Sequence, residues 1–179
     1  MASKNPDAIA LLKADHRKVE ELFEKFEKAT GDQHKKELAE QICTELSVHT
    51  TIEEEIFYPA CQGKVEDDLL HESYVEHDGA KVMIAELMES EPSDEFYDAK
   101  MTVLSEEIKH HVKEEEKPGK GVFAQIRDSG VDLNELAERL KVRKEELLEE
   151  FKSGGLPVPT TRSFKGPKLR YGHTIGAGD

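Results

Sequence analysis

Apolar residues recur along the chain at the three- and four-residue spacing of amphipathic helices, in five separate blocks. In the first, Ile9, Leu12, Val19, Phe23 and Phe26 form one stripe. Asn5 reads as its N-cap, Pro6 as its first residue and Asp7 as an acid favoured by the helix dipole, and Gly31 ends it. Asp32 begins a second block carrying Leu38, Ile42, Ile56 and Phe57, which Pro59 and Gly63 close. A third runs from Asp67 to Ser90 with Leu70, Tyr74, Ile84, Leu87 and Met88 on one side. Ser93, after Pro92, begins a fourth with Phe96, Met101, Leu104 and Ile108, interrupted by KPGKG at 117–121. Four long amphipathic helices with short connections predict an all-α, up-down-up-down four-helix bundle.

A short segment ends at Gly130, after which Asp132 and Glu135 form a D-x-x-E capping box. It opens a fifth helix with Leu133, Leu136, Leu140, Leu147 and Phe151, expected to pack on the bundle or on a partner. From Ser153 onward the chain is rich in Gly and Pro, lacks periodicity and carries net positive charge, as an extended flexible tail would. The expected organisation is a bundle over 1–130, a C-terminal helix over 131–152 and a tail over 153–179.

Composition supports this picture and removes some functions from it. The chain is 36% hydrophobic and 36% charged, has no Trp and is dominated by good helix formers. A formal net charge of −14 repels phosphate backbones and anionic lipid, so neither nucleic acid nor a membrane surface is an expected partner of the bundle. No apolar run approaches a membrane span and the N-terminus has no secretory pattern, which makes a cytoplasmic location the expectation. Cys43 and Cys61 stand apart with no C-x-x-C and read as structural thiols.

The polar residues that fall in phase with the apolar stripes carry the candidate chemistry. His16 lies between Leu12 and Val19, while His49, His77 and His111 each lie a heptad from Ile42, Leu70 and Leu104 respectively. Glu53 follows His49 by one turn and Glu115 follows His111 by one turn, giving the order H, H-x-x-x-E, H, H-x-x-x-E. Helix rise places all six side chains in one layer to within about a turn. Four imidazoles and two carboxylates buried together each lose several kcal/mol of hydration unless a cation repays it. Iron, zinc and manganese all accept such ligands, and each carboxylate has two oxygens with which to span two ions. Glu20 is an additional candidate ligand or outer acid, and Tyr74 a candidate hydrogen-bond donor, whereas His34, His71, His110 and His173 fall off the stripes. No phosphate-loop, dinucleotide or nucleophile-elbow motif is present, and Glu-x-x-His occurs only once, at Glu107 and His110, where a ferritin-like centre needs two.

The motifs DHRKVEELFEKFE around His16, HTTIEEEIFYP around His49, VEH ending at His77 and HHVKEEE around His111 resemble those of the bacterial hemerythrin HHE cation-binding family. The resemblance implies a four-helix bundle holding two non-haem iron ions, oxo- and carboxylate-bridged, on His16, His49, Glu53, His77, His111 and Glu115. Oxygen-carrying members have a further histidine where Ser73 stands here, and an aspartate where Glu115 and Glu116 offer a choice. An iron position left open at Ser73 favours sensing or redox chemistry over oxygen carriage. The expected function is therefore binding or sensing of dioxygen, peroxide or nitric oxide in stress response or redox and iron homeostasis. Two alternatives stand beside it. One is a metal-clasped regulatory protein that meets a protein partner through the C-terminal helix and tail; the other is a weak catalase-like enzyme.

Overall fold

The computed structural model describes residues 6–164 of the chain. Helix α1, Ala8–Lys28, begins at Asp7, whose carboxylate accepts a hydrogen bond from the Ala10 amide. The cap is thus one residue pair later than expected; Asn5 lies outside the described residues. Helix α2, Asp32–Ile52, runs on through a π-helical turn, Glu53–Phe57, and a closing turn α3, Tyr58–Cys61. Pro59 does not stop this helix. It lies one residue past the π turn, in the first turn of α3, where the proline's missing N–H costs least. Helices α4, Asp67–Met88, and α5, Tyr97–Glu115, complete the bundle, and successive helices α1, α2, α4 and α5 pack in a closed ring.

The fourth bundle helix starts later than the sequence suggests. A turn in which Asp94 accepts from the Glu91 amide holds residues 91–96 out of the helix. Phe96, expected on the apolar stripe, is 63% exposed, and Tyr97 takes the buried place against Phe26. Met88 at the end of α4 is likewise exposed.

Beyond the bundle, a short helix α6, Val122–Asp128, was not evident as a helix from its pattern. It buries Val122, Phe123 and Ile126. Gly121 at its start packs so closely on α5 that a Cβ there would lie 2.3 Å from the Glu115 carbonyl oxygen, which ties α6 to the backbone carrying Glu115. The C-terminal helix α7, Leu133–Gly154, is capped by Asp132 and buries Leu136, Ala137, Leu140 and Leu147 against α1 and α2. Its apolar face is therefore used within the chain. No helix among the described residues is long and apolar enough to cross a membrane.

The core has two halves. One, around Leu12, Ile52, Phe57, Tyr58, Phe123 and Leu140, includes α6 and α7. The other, around Phe23, Ile42, Leu46, Ile84 and Leu104, lies toward the opposite end of the bundle. The polar layer sits between them.

Residues 155–164 are extended, as expected, but they are also anchored. Buried Asp78 accepts hydrogen bonds from the amides of Arg162 and Ser163 and from the Ser163 hydroxyl, and the Arg162 guanidinium lies 4.4 Å from the Tyr74 ring centre. Each hydrogen bond to a carboxylate stabilises by about 1.5–3 kcal/mol. Replacing Asp78 by Ala is expected to accelerate amide exchange at Arg162 and Ser163 by about tenfold or more. Tryptic cleavage after Arg162 should quicken with it, while exchange in α1 and α2 stays as in the wild type; unchanged exchange at Arg162 would exclude the anchor.

Candidate metal centre

All six residues singled out by helical register meet in one buried layer. His16, His49, Glu53, His77, His111 and Glu115 are each no more than 5% exposed. The Nε2 atoms of His16 and His49 are 3.1 Å apart, and those of His77 and His111 are 3.3 Å apart. Glu53 Oε2 lies 3.2 Å from His49 Nε2 and 3.3 Å from His77 Nε2. Glu115 Oε2 lies 3.5 Å from both His16 Nε2 and His111 Nε2. Each carboxylate thus stands between one histidine pair and the other.

These spacings suit metal ligation. Two ligand atoms bound at about 2.1 Å to one ion, at angles of roughly 90–109°, lie about 3.0–3.4 Å apart. Glu53 Oε1 and Glu115 Oε2 are buried without a hydrogen-bond partner, a costly condition that a cation between them would relieve. Two groups of potential ligands emerge, His16 with His49 and Glu53, and His77 with His111 and Glu53. A third group on the surface, Glu72, Glu76 and His110, is more exposed.

Three of the four outer nitrogens are also provided for. Glu116 lies 2.8 Å from His16 Nδ1, Glu54 3.1 Å from His77 Nδ1 and Glu76 2.8 Å from His111 Nδ1. A carboxylate that accepts the Nδ1 proton leaves the Nε2 lone pair directed inward, the tautomer metal ligation requires. The choice between Glu115 and Glu116 is resolved by this geometry: Glu115 faces the layer, and Glu116 faces His16 from outside with Arg17 and Lys13 beside it. The His16 hydrogen bond, opposed by partial burial and helped by those cations, holds Glu116 down to about 2.

Tyr58 is the site residue that register did not reveal. In an unbroken α-helix His49, Glu53 and Phe57 would share a face, and Tyr58 would turn about 100° away. The π turn adds one residue, Tyr58 N–H bonds to the Glu53 carbonyl, and Tyr58 takes the place below Glu53. Its hydroxyl donates to Glu115 Oε1 at 2.8 Å and lies 3.2 Å from both Glu53 Oε2 and His77 Nε2. A phenol therefore stands beside His77 and the two carboxylates. Burial, with the charges of Glu115 and Glu53, holds that phenol well above its usual pKa and keeps it a donor. Ser73 donates its hydroxyl to the Leu69 carbonyl.

The remaining candidates fall outside. Glu20 pairs with Arg17, His34, His71 and His110 are exposed, and His173 lies beyond the described residues. Tyr74 packs on Tyr58 at 5.2 Å between ring centres without reaching the layer. Cys43 and Cys61 are free and buried, and burial raises both thiols to about 12, which leaves them unreactive.

The hemerythrin HHE cation-binding domain model matches residues 7–118. The chain belongs to that family. A DNA nickase from Nostoc sp. is 27% identical over 119 residues, which is 66% of this chain and 33% of that protein, so the chain spans about a third of the relative's length. The crystal structure of a hemerythrin HHE cation-binding domain-containing protein from Mycobacterium kansasii matches with a TM-score of 0.70 and 22% identity, over 84% of this chain and 95% of that one. The latter likeness establishes a shared fold.

Electrostatics within this hemerythrin-like layer are uneven. Burial pushes His16 down to about 4, against the pull of Glu116, and leaves it neutral. Burial acts the same way on His49, but Glu53 and Asp15 outweigh it and carry His49 up to about 10. Burial and the charge of Glu53 raise Glu115 to about 7. A raised imidazole pKa gives stability that is full below about 6.5 and is lost as pH climbs through about 10. Metal-free protein is expected to lose ~1 kcal/mol or more per pH unit between pH 7 and 9 in denaturant titrations, and His49→Gln to lose less over the same range, His77 being raised as well. Equal slopes in the two proteins would exclude a charged His49.

Proposed function

We propose that this hemerythrin-like chain is a cytoplasmic non-haem di-iron protein that binds or senses dioxygen, peroxide or nitric oxide, serving stress response or redox and iron homeostasis. His16 and His49 would hold one ion and His77 and His111 the other, with Glu53 and Glu115 spanning the pair. Iron bound there supplies a redox-active Lewis acid that a small ligand can approach.

The observation that carries this reading is a small cavity set directly against the four imidazoles. Its volume is about 10 Å³, and its remaining walls include Val19, Leu46, Ile108 and Val112. A space of that size holds one water-sized molecule, which suits a diatomic or peroxide and excludes a bulky substrate. Tyr58, on the other face of the layer, fixes Glu115 by its hydrogen bond and places one protic group within reach of the His77 side. Glu116, Glu54 and Glu76 hold the protons at Nδ1 of their histidines, so the inward nitrogens stay available as ligands.

The nicking activity in the Nostoc relative's name is not extended to this chain. A net charge of −14 opposes contact with a phosphate backbone, and the shared segment is a third of that protein.

Anaerobic loading with ferrous iron is expected to give two irons per chain and a higher melting temperature. Subsequent oxygen or azide should then produce a ligand-to-metal charge-transfer band. His49→Ala should lose about half or more of the metal and most of the thermal gain, and Tyr58→Phe should keep the metal but shift the band. Well under one iron per chain, with His49→Ala melting like the wild type, would sink the proposal.

A further inference from the structure

The C-terminal helix carries no candidate ligand and lies beyond the family domain at 7–118, yet one of its side chains, Lys144, reaches Asp15, which faces His49 of the polar layer. Three of the four outer imidazole nitrogens have a carboxylate at 2.8–3.1 Å. The fourth, His49 Nδ1, faces Asp15 Oδ2 at 3.7 Å, too far for a hydrogen bond. Both atoms are buried and neither has another partner. The other Asp15 oxygen is engaged by Lys144 of α7 in a close ion pair. Asp15 is thus shared between a ligand on one side and α7 on the other, and it sits toward α7.

Cations back other outer carboxylates as well, but from different places. Arg17 beside Glu116 is next to His16 in the chain, and Lys81 beside Glu54 is one turn from His77. Such residues move with the ligand they serve. Lys144 comes from a separate helix, docked on α1 and α2 through Leu136, Ala137, Leu140 and Leu147, so its position can vary independently of the bundle.

We infer that Lys144 is a positioning residue: through it α7 sets the distance between Asp15 and His49, and so the donor strength of the His16 and His49 half of the metal centre. This rests on the di-metal reading above. A carboxylate that closes on an Nδ1 proton gives the imidazole more anionic character and makes it a stronger ligand. With Lys144 in place His49 is the weakest-assisted of the four histidines; when α7 shifts, Asp15 is free to complete the missing hydrogen bond. Movement of the C-terminal helix, by a partner or by the tail that follows it, is thereby converted into a change at the metal.

The test uses the full-length iron-loaded chain with Lys144→Met, Lys144→Gln, Lys144→Arg, Asp15→Asn and the Asp15→Asn/Lys144→Met double variant. Lys144→Met and Lys144→Gln should lower the midpoint potential and slow metal loss to a chelator by about tenfold. Lys144→Arg should behave as wild type and Asp15→Asn should move the potential upward. The double variant should match Asp15→Asn alone, because Lys144 acts only through Asp15. In zinc-loaded protein, whose readout is independent of redox chemistry, the His49 Nδ1 proton resonance should move downfield in Lys144→Met. Wild-type protein that takes up no metal overturns the parent reading and this one with it. Wild-type protein that loads normally, with folded Lys144 variants unchanged in potential and resonance or additive with Asp15→Asn, overturns the coupling alone.

Discussion

Removing an imidazole or a carboxylate from water costs several kcal/mol unless the group finds partners, and this bundle places four of one and two of the other in a single layer between two apolar halves of its core. The helices could not close on that layer if its charges were unmatched. Some of the cost is met by protonation, since His49 rises to about 10 and so pairs as a cation with Glu53. Part is left standing, in the unpartnered oxygens of Glu53 and Glu115. A layer whose ligands match each other's spacing but not each other's hydrogen-bonding needs is one built around cations that the side chains alone do not supply.

An outer ring of carboxylates supports the layer, and its members come from positions that look like surface acids. Glu54 and Glu116 belong to runs of consecutive glutamates, yet they reach the His77 and His16 rings from outside. This placement follows from helix geometry. A ligand on the inner face leaves the next residue about 100° around the helix, near the seam with a neighbouring helix, where it can meet the outer nitrogen of that helix's histidine. The EEE runs therefore serve two roles in adjacent positions: one oxygen pair in the layer and another holding an imidazole from behind.

Much of this was legible in the amino-acid sequence because both the fold and the inner polar residues obey a single period. A stripe of Leu12, His16 and Val19, or of Ile42 and His49, announces at once the buried face and the polar residue on it. The features that escaped are those where the period breaks or the contact is distant in sequence. Tyr58 is invisible to a 3.6-residue count because the π turn shifts it by one position, and the only signal was local: a glutamate run followed, after Ile56 and Phe57, by Tyr58 and Pro59. Phe96 was misplaced because a hydrogen-bonded turn at residues 91–96 delays the helix. Lys144 meets Asp15, and Arg162 and Ser163 meet Asp78, across more than eighty residues, and no periodicity reports such pairs.

The two faces of the layer differ in what lines them. On the side of α6 and α7 the site is closed by Tyr58, Phe57 and Phe123, the last stacked on the His16 ring at 5.7 Å. On the opposite side the imidazoles border the apolar cavity. The Tyr58 hydroxyl thus lies on the first face, apart from the cavity, whose walls join Val19, Leu46, Ile108 and Val112 to Asp15 and Thr50. This separation comes directly from the one-residue insertion at Glu53–Phe57. Without it, Phe57 would lie on the ligand face, Tyr58 would turn out of the layer, and both sides of the site would be apolar.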